Sequence, residues 1–346
     1  MKKAFLLILL IFLLPIKAAA LELTPPAAPD TAQDYMPEEP KSFSEGLWYI
    51  VKQAITKFQP SLAEAAKVAL TLTAIVLLAS MLRNFSSPSK YVVDLIAVLC
   101  ISVSLVDATN SMINLGIETV NEITQYGKLL LPVMTAALAA QGGITTSTSL
   151  YAGTALLNTV LSAGISKIIV PLIYVYMVFC IAYSAIGEEL LKNLKSLSKW
   201  LVTWCLKITL YVFTGYLSIT GVVSGTTDAA MLKAAKLTVS GTVPVVGNII
   251  SDASETILVS AGIVKNSVGI YGLLAVAAIW IKPFMTIGVQ YLLLRLVATI
   301  CGTIGAKETV GLIDDFADIM GFLVAMTGTA CLLLMVSTIC YLKGVG

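Results

Sequence analysis

The chain has 346 residues, of which 58% are hydrophobic and only 12% are charged, and its net charge is +2. Soluble domains are about 45–50% apolar and about 25% charged, so this composition predicts a polytopic integral membrane protein. The small net charge gives no indication of a nucleic-acid partner. The absence of histidine removes the commonest general base and metal ligand, and it excludes Ser-His-Asp, Cys-His and His-zinc chemistry.

The first 20 residues have the pattern of a secretory signal. Lys2 and Lys3 precede an apolar run over 4–15, and three alanines over 18–20 provide a small-residue cleavage site. The pattern predicts a signal peptide that is removed. The alternative is an uncleaved first helix, for which the apolar run is short.

Residues 21–60 are expected to follow the signal on the exported side. Five prolines and four acidic residues lie within 24–41, a composition that predicts disorder. From 42 to 59 apolar residues recur at helical spacing, which predicts an amphipathic helix on the membrane surface with Ser44 as its cap.

The next region, 61–128, is predicted to hold a pair of spans over 62–82 and 91–115. Arg83 and Lys90 flank the loop between them, which favours the cytoplasmic side. A short polar surface helix is expected over 117–128. Further spans are expected over 168–186, 200–223, 270–304 and 320–342, with a cytoplasmic loop over 188–199 and a charged loop or amphipathic segment over 306–318. The predicted fold is therefore an all-α bundle of about six to eight spans with broken or re-entrant helices.

Residues 129–167 form an interrupted apolar stretch. Pro132 lies near its start, and Gly142 and Gly143 open a polar break rich in Thr and Ser. Two half-helices with a polar break are one interpretation, and one loop followed by one span is the other.

A second interrupted stretch runs over 236–283. Pro244 and Gly247 interrupt it, and Asp252, Glu255 and Lys265 place charges in it. Broken backbone at membrane depth is tolerated only where protein or water satisfies the freed groups. Ionisable side chains there cost about 2.5–3.5 kcal/mol each on insertion scales, so they indicate function. The alternative is an external loop between two ordinary helices.

Asp252 and Glu255 are three residues apart and would share one helix face. Two carboxylates in apolar surroundings need partners or water, and Lys265, Lys282 and Arg295 are the nearest bases in sequence. We expect this cluster to line a polar cavity open to the exported side. The alternative is that Asp252 caps a helix with Glu255 as its partner. The full set of candidate pathway or break residues is Pro132, Gly142, Gly143, Pro244, Gly247, Asp252, Glu255, Lys265, Lys282, Pro283 and Arg295.

An internal duplication is predicted from one offset. Pro244 follows Pro132 by 112 residues, and Pro283 follows Pro171 by the same number. In each predicted copy a polar break follows the first proline, Pro132 or Pro244, and a span begins near the second, Pro171 or Pro283. The predicted repeats are 129–235 and 236–346, either parallel or inverted, and such halves point to a pathway at their interface.

The run Lys-Leu-Thr-Val-Ser-Gly-Thr-Val-Pro-Val-Val-Gly over 236–247, followed by Ser-Asp-Ala over 251–253, resembles the stage III sporulation protein AE family. The signal, the acidic Pro-rich segment and the break from Pro132 to Gly143 share this resemblance, which covers essentially the whole chain. It implies a polytopic protein of the mother-cell membrane around the forespore. It also implies a role in a secretion-like or feeding channel, with other stage III sporulation membrane proteins and a forespore-side partner across the intermembrane space.

Two functions from different classes follow. The first is a membrane component of a multiprotein conduit with no chemistry of its own, which the resemblance favours. The second is an autonomous transporter or channel for a small solute or ion, which the repeat and the ionisable residues favour. An intramembrane enzyme is disfavoured because histidine, a GxSxG elbow and a close metal-ligand cluster are all missing, so we expect no catalytic residue, metal or cofactor.

Overall fold

A computed structural model describes the backbone of residues 24–38, 42–85, 90–242 and 246–343, without the side chains of 84–85, 214, 217–262 and 264. Across these ranges all regular secondary structure is helical, which confirms the all-α membrane fold. The helices are α1 (Asp30–Gln33), α2 (Phe43–Lys57), α3 (Gln59–Phe85), α4 (Lys90–Ala140), α5 (Ile144–Gly164), a π-helical turn (Ile165–Ile169), α6 (Val170–Ile186), α7 (Glu189–Thr242), α8 (Val246–Cys301) and α9 (Lys307–Lys343).

Within the described part of the chain, five helical stretches are long and apolar enough to cross a membrane. They are Gln59–Arg83, Lys90–Ala140, Ile144–Ile186, Lys265–Cys301 and Lys307–Lys343. The prediction of about six to eight spans also counts 200–223, which falls in α7 and lies partly outside the described side chains. Helices α8 and α9 form the centre of the bundle, and α4 packs against both.

Three polar segments that were predicted as separate surface elements are parts of long helices. Residues 117–128 continue α4, 189–199 form the first turns of α7, and 307–318 form the first turns of α9. The prediction of a loop over 188–199 was wrong. A helix was expected over 117–128, though as a separate element, and an amphipathic segment was one of the two interpretations of 306–318. Polarity alone indicates exposure, whereas several of these side chains have partners on other helices. At about 1.5 Å per residue α4 is roughly 76 Å long, well beyond the bilayer core of about 30 Å.

Helices α4 and α5 form an antiparallel hairpin. Its turn is Gln141–Gly143, where Gly142 has φ of 92°, a left-handed conformation that glycine adopts without strain. Gly143 N–H donates to Leu138 O at 3.1 Å and closes the end of α4. A methyl group on Gly127 would lie 2.5 Å from Asn158 Nδ2, which shows how closely the helices pack. Residues 129–167 therefore hold two helices joined by a turn. The first is the end of the long α4 rather than a half-helix, and the Thr- and Ser-rich run after Gly143 belongs to α5.

The prolines do not interrupt the long helices as predicted. Pro132 and Pro283 lie inside α4 and α8. Pro171 follows the π-helical turn, which joins α5 and α6 into one continuous stretch. Proline lacks an N–H and clashes with the carbonyl four residues earlier, and the wider turn around Lys167 accommodates that ring.

Residues 24–38 are packed rather than disordered. Ala28, Ala32 and Tyr35 are buried, and Lys57 of α2 pairs with Asp34 at 3.2 Å. The prediction of disorder was therefore wrong for 24–38. The composition indicates only that the segment builds no core of its own, whereas here it packs against the other helices. Helix α2 is capped by Ser42, which accepts a hydrogen bond from the Glu45 N–H at 3.2 Å, and not by Ser44.

Candidate functional site

Three acidic and three basic side chains form an ionic network between α7, α8 and α9. Asp314, Asp315 and Asp318 lie in the first turns of α9, Lys195 and Lys199 in α7, and Arg295 near the end of α8. Lys195 Nζ is 2.8 Å from Asp315 Oδ2, and Arg295 Nη2 is 2.6 Å from Asp318 Oδ1. Lys199 also pairs with Asp318, and Arg295 with Asp314. The network is balanced in charge, and it is hereafter called the ionic network.

Asp318 has the largest number of partners in the network. It pairs with Lys199 and Arg295, and the Tyr176 hydroxyl of α6 lies 3.3 Å from its Oδ2. The same hydroxyl lies 3.3 Å from Asp315 Oδ1, and its single proton can serve one carboxylate at a time. The Asp315 and Asp318 side chains are each 12% exposed. Four helices therefore meet at these two buried carboxylates.

Helix α3 gives the height of the ionic network in the bundle. It runs alongside α8, with Ser61 Oγ 3.3 Å from Thr286 Oγ1 and Ser80 Oγ donating to Ile304 O at 2.8 Å. Arg295 lies nine residues after Thr286 and nine before Ile304. The ionic network therefore lies level with the middle of Gln59–Arg83, a stretch long and apolar enough to cross a membrane. On the longer helices α8 and α9 the same residues lie toward one end, since α8 ends at Cys301 and α9 begins at Lys307.

Two apolar grooves lie next to the ionic network. The first, about 700 Å³, lies between α7, α8 and α9, and Arg295 and Asp318 form its polar end. Its apolar lining includes Leu206, Phe284, Met285, Leu292 and Phe322. The second, about 560 Å³, continues along α8 and α9 under α2. Neither lining has a continuous row of polar groups. In the described part of the chain, both grooves are therefore suited to contact apolar side chains or lipid tails rather than polar solutes.

The predicted cluster of Asp252, Glu255, Lys265, Lys282 and Arg295 does not converge. All five positions lie on the single continuous helix α8. Arg295 is 30 residues beyond Lys265, which corresponds to about 45 Å at 1.5 Å per residue. The prediction required 248–264 to fold back onto 265–303, and the helix does not turn.

The remaining candidate residues are dispersed. Lys265 is buried and Lys282 is exposed, while Gly247 lies in the first turn of α8. The side chains of Asp252 and Glu255, and Pro244 as a whole, lie outside the described residues. Since α8 begins at Val246, Asp252 is interior to the helix backbone, so the alternative of a helix cap is also wrong.

The sequence contained a signal for the ionic network that was interpreted otherwise. Three aspartates over 314–318 stand directly before the last apolar run, and three lysines over 192–199 stand before another. The three- and four-residue spacings place most of each set on one helix face. The lysine set was interpreted as a loop and the aspartate set as a loop or amphipathic segment, and Tyr176 carried no signal at all.

Comparison with known proteins identifies the family of this chain. Residues 33–344 match the family described as Stage III sporulation protein AE. Stage III sporulation protein AE of Bacillus subtilis (strain 168) is 23% identical over 252 residues, which cover 73% of this chain and 63% of that relative. No solved structure matches. Because the family match extends over most of its length, the chain belongs to the stage III sporulation protein AE family.

Proposed function

We propose that the chain is a polytopic component of a multiprotein channel or secretion-like complex that links mother cell and forespore and is needed for forespore development. Family membership supports a sporulation membrane protein. The observation that carries the finer proposal is the pairing of all six charges of the ionic network with one another. Paired charges fix how the three helices α7, α8 and α9 pack, whereas a transporter site keeps a charge free for its substrate.

The proposed partners are other stage III sporulation membrane proteins and a forespore-side protein. The apolar grooves on α8 and α9 support this, because they leave helix surfaces within the membrane that partner proteins could contact. The protein would act without a cofactor and without catalysis.

The proposed location is the mother-cell membrane around the forespore, with the N-terminal segment on the exported side. Tyr91 OH donates to Ala185 O at 3.4 Å, so the start of α4 and the end of α6 lie at one end of the bundle. Arg83, Lys90 and Lys192 lie at this end, which favours the cytoplasm for it. Residues 24–38 pack near the other end of α3, next to Lys57.

An autonomous transporter or channel is the second candidate, and the low exposure of Asp315 and Asp318 between α7, α8 and α9 favours it. The predicted duplication of 129–235 and 236–346 belongs to the same proposal. The two copies differ in one respect: 141–143 form a turn, whereas the matching positions 253–255 lie within α8.

Reconstitution separates the two candidates. Purified protein in liposomes loaded with a fluorescent dye and potassium is expected to release neither, and the same protein isolated from sporulating cells is expected to retain other stage III sporulation membrane proteins. Liposomes that contain no protein serve as the control. Flux through the chain alone, together with isolation as a single species, would contradict the conduit proposal and establish the transporter.

A further inference from the structure

One side of α4 exposes only polar groups over the middle of its length. Between 104 and 128 every exposed side chain is polar, and the set is Asp107, Ser111, Asn114, Glu118, Gln125 and Lys128. Their spacings of three, four and seven residues place all of them on one side of the helix. No ion pair among the described residues includes Asp107, Glu118 or Lys128. This set is hereafter called the α4 polar stripe.

A bilayer that α4 crosses contains part of the α4 polar stripe wherever it lies along the helix. Helix α4 is one of the stretches long and apolar enough to cross a membrane. Its residues 90–106 are about 25 Å long and its residues 129–140 about 18 Å, at 1.5 Å per residue. Both lengths are shorter than the bilayer core of about 30 Å. Neither end of α4 can therefore hold the whole core without the stripe.

The outer side of α5 and α6 has a different chemistry at the same heights. Gly127 of α4 faces Asn158 of α5 across the antiparallel hairpin. Val160 is therefore level with Gln125, and Ile168 is level with the middle of the α4 polar stripe. Val160 and Ile168 are 58% and 52% exposed, and α5 contains no charged residue. This side has the character of a lipid-facing surface, and the stripe does not.

Water is the cover that satisfies the α4 polar stripe. Lipid tails offer no hydrogen bonds, so Asp107, Glu118 and Lys128 would be left unsatisfied against them. A second copy in the same membrane has the same orientation, so its α4 would bring like charges together at a cost. The centres of other protein interfaces are depleted in Asp, Glu, Lys and Ser. Water, in contrast, can hydrogen-bond to every group of the stripe.

The neighbours of the stripe indicate where this water enters and where it stops. Thr31 of the N-terminal segment donates to Glu122 at 2.8 Å, so residues 24–38 lie beside the later half of the stripe. In the other direction the same side of α4 carries Ile96 and Val103, which are 55% and 76% exposed. The polar surface therefore begins next to the N-terminal segment and ends at Asp107.

We infer that the α4 polar stripe lines a water-filled passage, which opens toward the N-terminal segment 24–38 and extends along α4 as far as Asp107. The passage rests on the proposed function, because neighbouring subunits must enclose the water on the side away from α4. Helices α5 and α6 face lipid at the same heights. The two acids of the stripe outnumber its single lysine, so the wall favours cations over anions.

Cysteine accessibility tests the inference. In a variant whose six native cysteines are replaced and which still sporulates, single cysteines are placed at Asn114 and Gln125. Val160→Cys and Ile168→Cys are the matched controls, because both positions are exposed at the same heights. Open membrane fragments of sporulating cells, whose two faces both meet the reagent, are treated with a charged maleimide. Because the thiolate is the reacting species and forms in water, Asn114→Cys and Gln125→Cys are expected to label about tenfold faster than the controls.

Three results would overturn the passage. Labelling of Asn114→Cys and Gln125→Cys as slow as that of the controls would mean that lipid or protein covers α4. Equally fast labelling of all four variants would mean that this part of the bundle stands outside the bilayer. Fast labelling of α4 only in cells that lack the other stage III sporulation proteins would make the stripe a protein interface.

Membrane levels and sporulation of each variant verify folding. Failure of the proposed complex is separately recognisable, because the chain would then be isolated as a single species.

Discussion

Replacement of Asp318 by asparagine is the most direct test of the ionic network. The change removes one negative charge and keeps the shape of the side chain. It leaves Lys199 without its partner and Arg295 with Asp314 alone. The Tyr176 hydroxyl retains Asp315 as an acceptor. The expected result is a loss of stability that exceeds the loss caused by removing any exposed charge of the network.

The magnitude follows from the burial of the partners. Breaking a fully buried ion pair by removing one partner costs about 3–5 kcal/mol. The Asp318 side chain is 12% exposed, but Arg295 is 35% and Lys199 49% exposed, so solvent compensates part of the loss. We expect Asp318→Asn to lower the free energy of unfolding by about 2–3 kcal/mol. Asp314→Asn is the matched control: its side chain is 48% exposed, and we expect less than about 1 kcal/mol.

Equilibrium unfolding in mixed micelles measures both variants, and Arg295→Gln completes a double-mutant cycle with Asp318→Asn. Because the two side chains are in contact, the combined loss is expected to fall short of the sum by about 1–2 kcal/mol. Sporulation should fall with Asp318→Asn and remain near normal with Asp314→Asn. Equal losses for the two aspartates, or strict additivity with Arg295→Gln, would refute the role given to Asp318.

Three further predictions concern other parts of the chain. Gly127→Val should destabilise the α4–α5 hairpin by about 1–3 kcal/mol in the same unfolding assay, because the new side chain meets Asn158. Gly164→Ala should change the stability little, because nothing lies within 4 Å of the added methyl group. Equal effects of the two substitutions would argue against close packing at Gly127. Asp252→Asn should leave sporulation and protein level near those of the parent chain, because Asp252 lies on one continuous helix with Lys265, Lys282 and Arg295 and cannot approach them; impaired sporulation at unchanged protein level would return Asp252 to the pathway candidates. N-terminal sequencing of the mature membrane protein should begin at or near Leu21, whereas a retained initial methionine would contradict cleavage.

The sequence predicted those features that depend on local composition. The span in α3 and the apolar body of α9 required only a long apolar run, and the turn at Gly142 required only a residue suited to positive φ. The continuity of α4 through 117–128 was not predicted, since polar residues there were taken to mark a surface. Glu122 instead accepts a hydrogen bond from Thr31 at 2.8 Å, a contact across 91 residues that no local pattern contains.

The ionisable residues show the same limit. Arg295 was considered only as one of three possible partners for Asp252 and Glu255, whereas its acidic partners lie downstream on α9. Helices α8 and α9 are joined by the short segment 302–306, and a short connection makes successive helices antiparallel neighbours. A base six residues before the end of α8 therefore meets the acids in the first turns of α9, and Asp314 and Asp318 are those acids. Opposite charges at similar distances before and after a short turn were thus the available clue. Charges on one uninterrupted helix, in contrast, move apart by about 1.5 Å for every intervening residue.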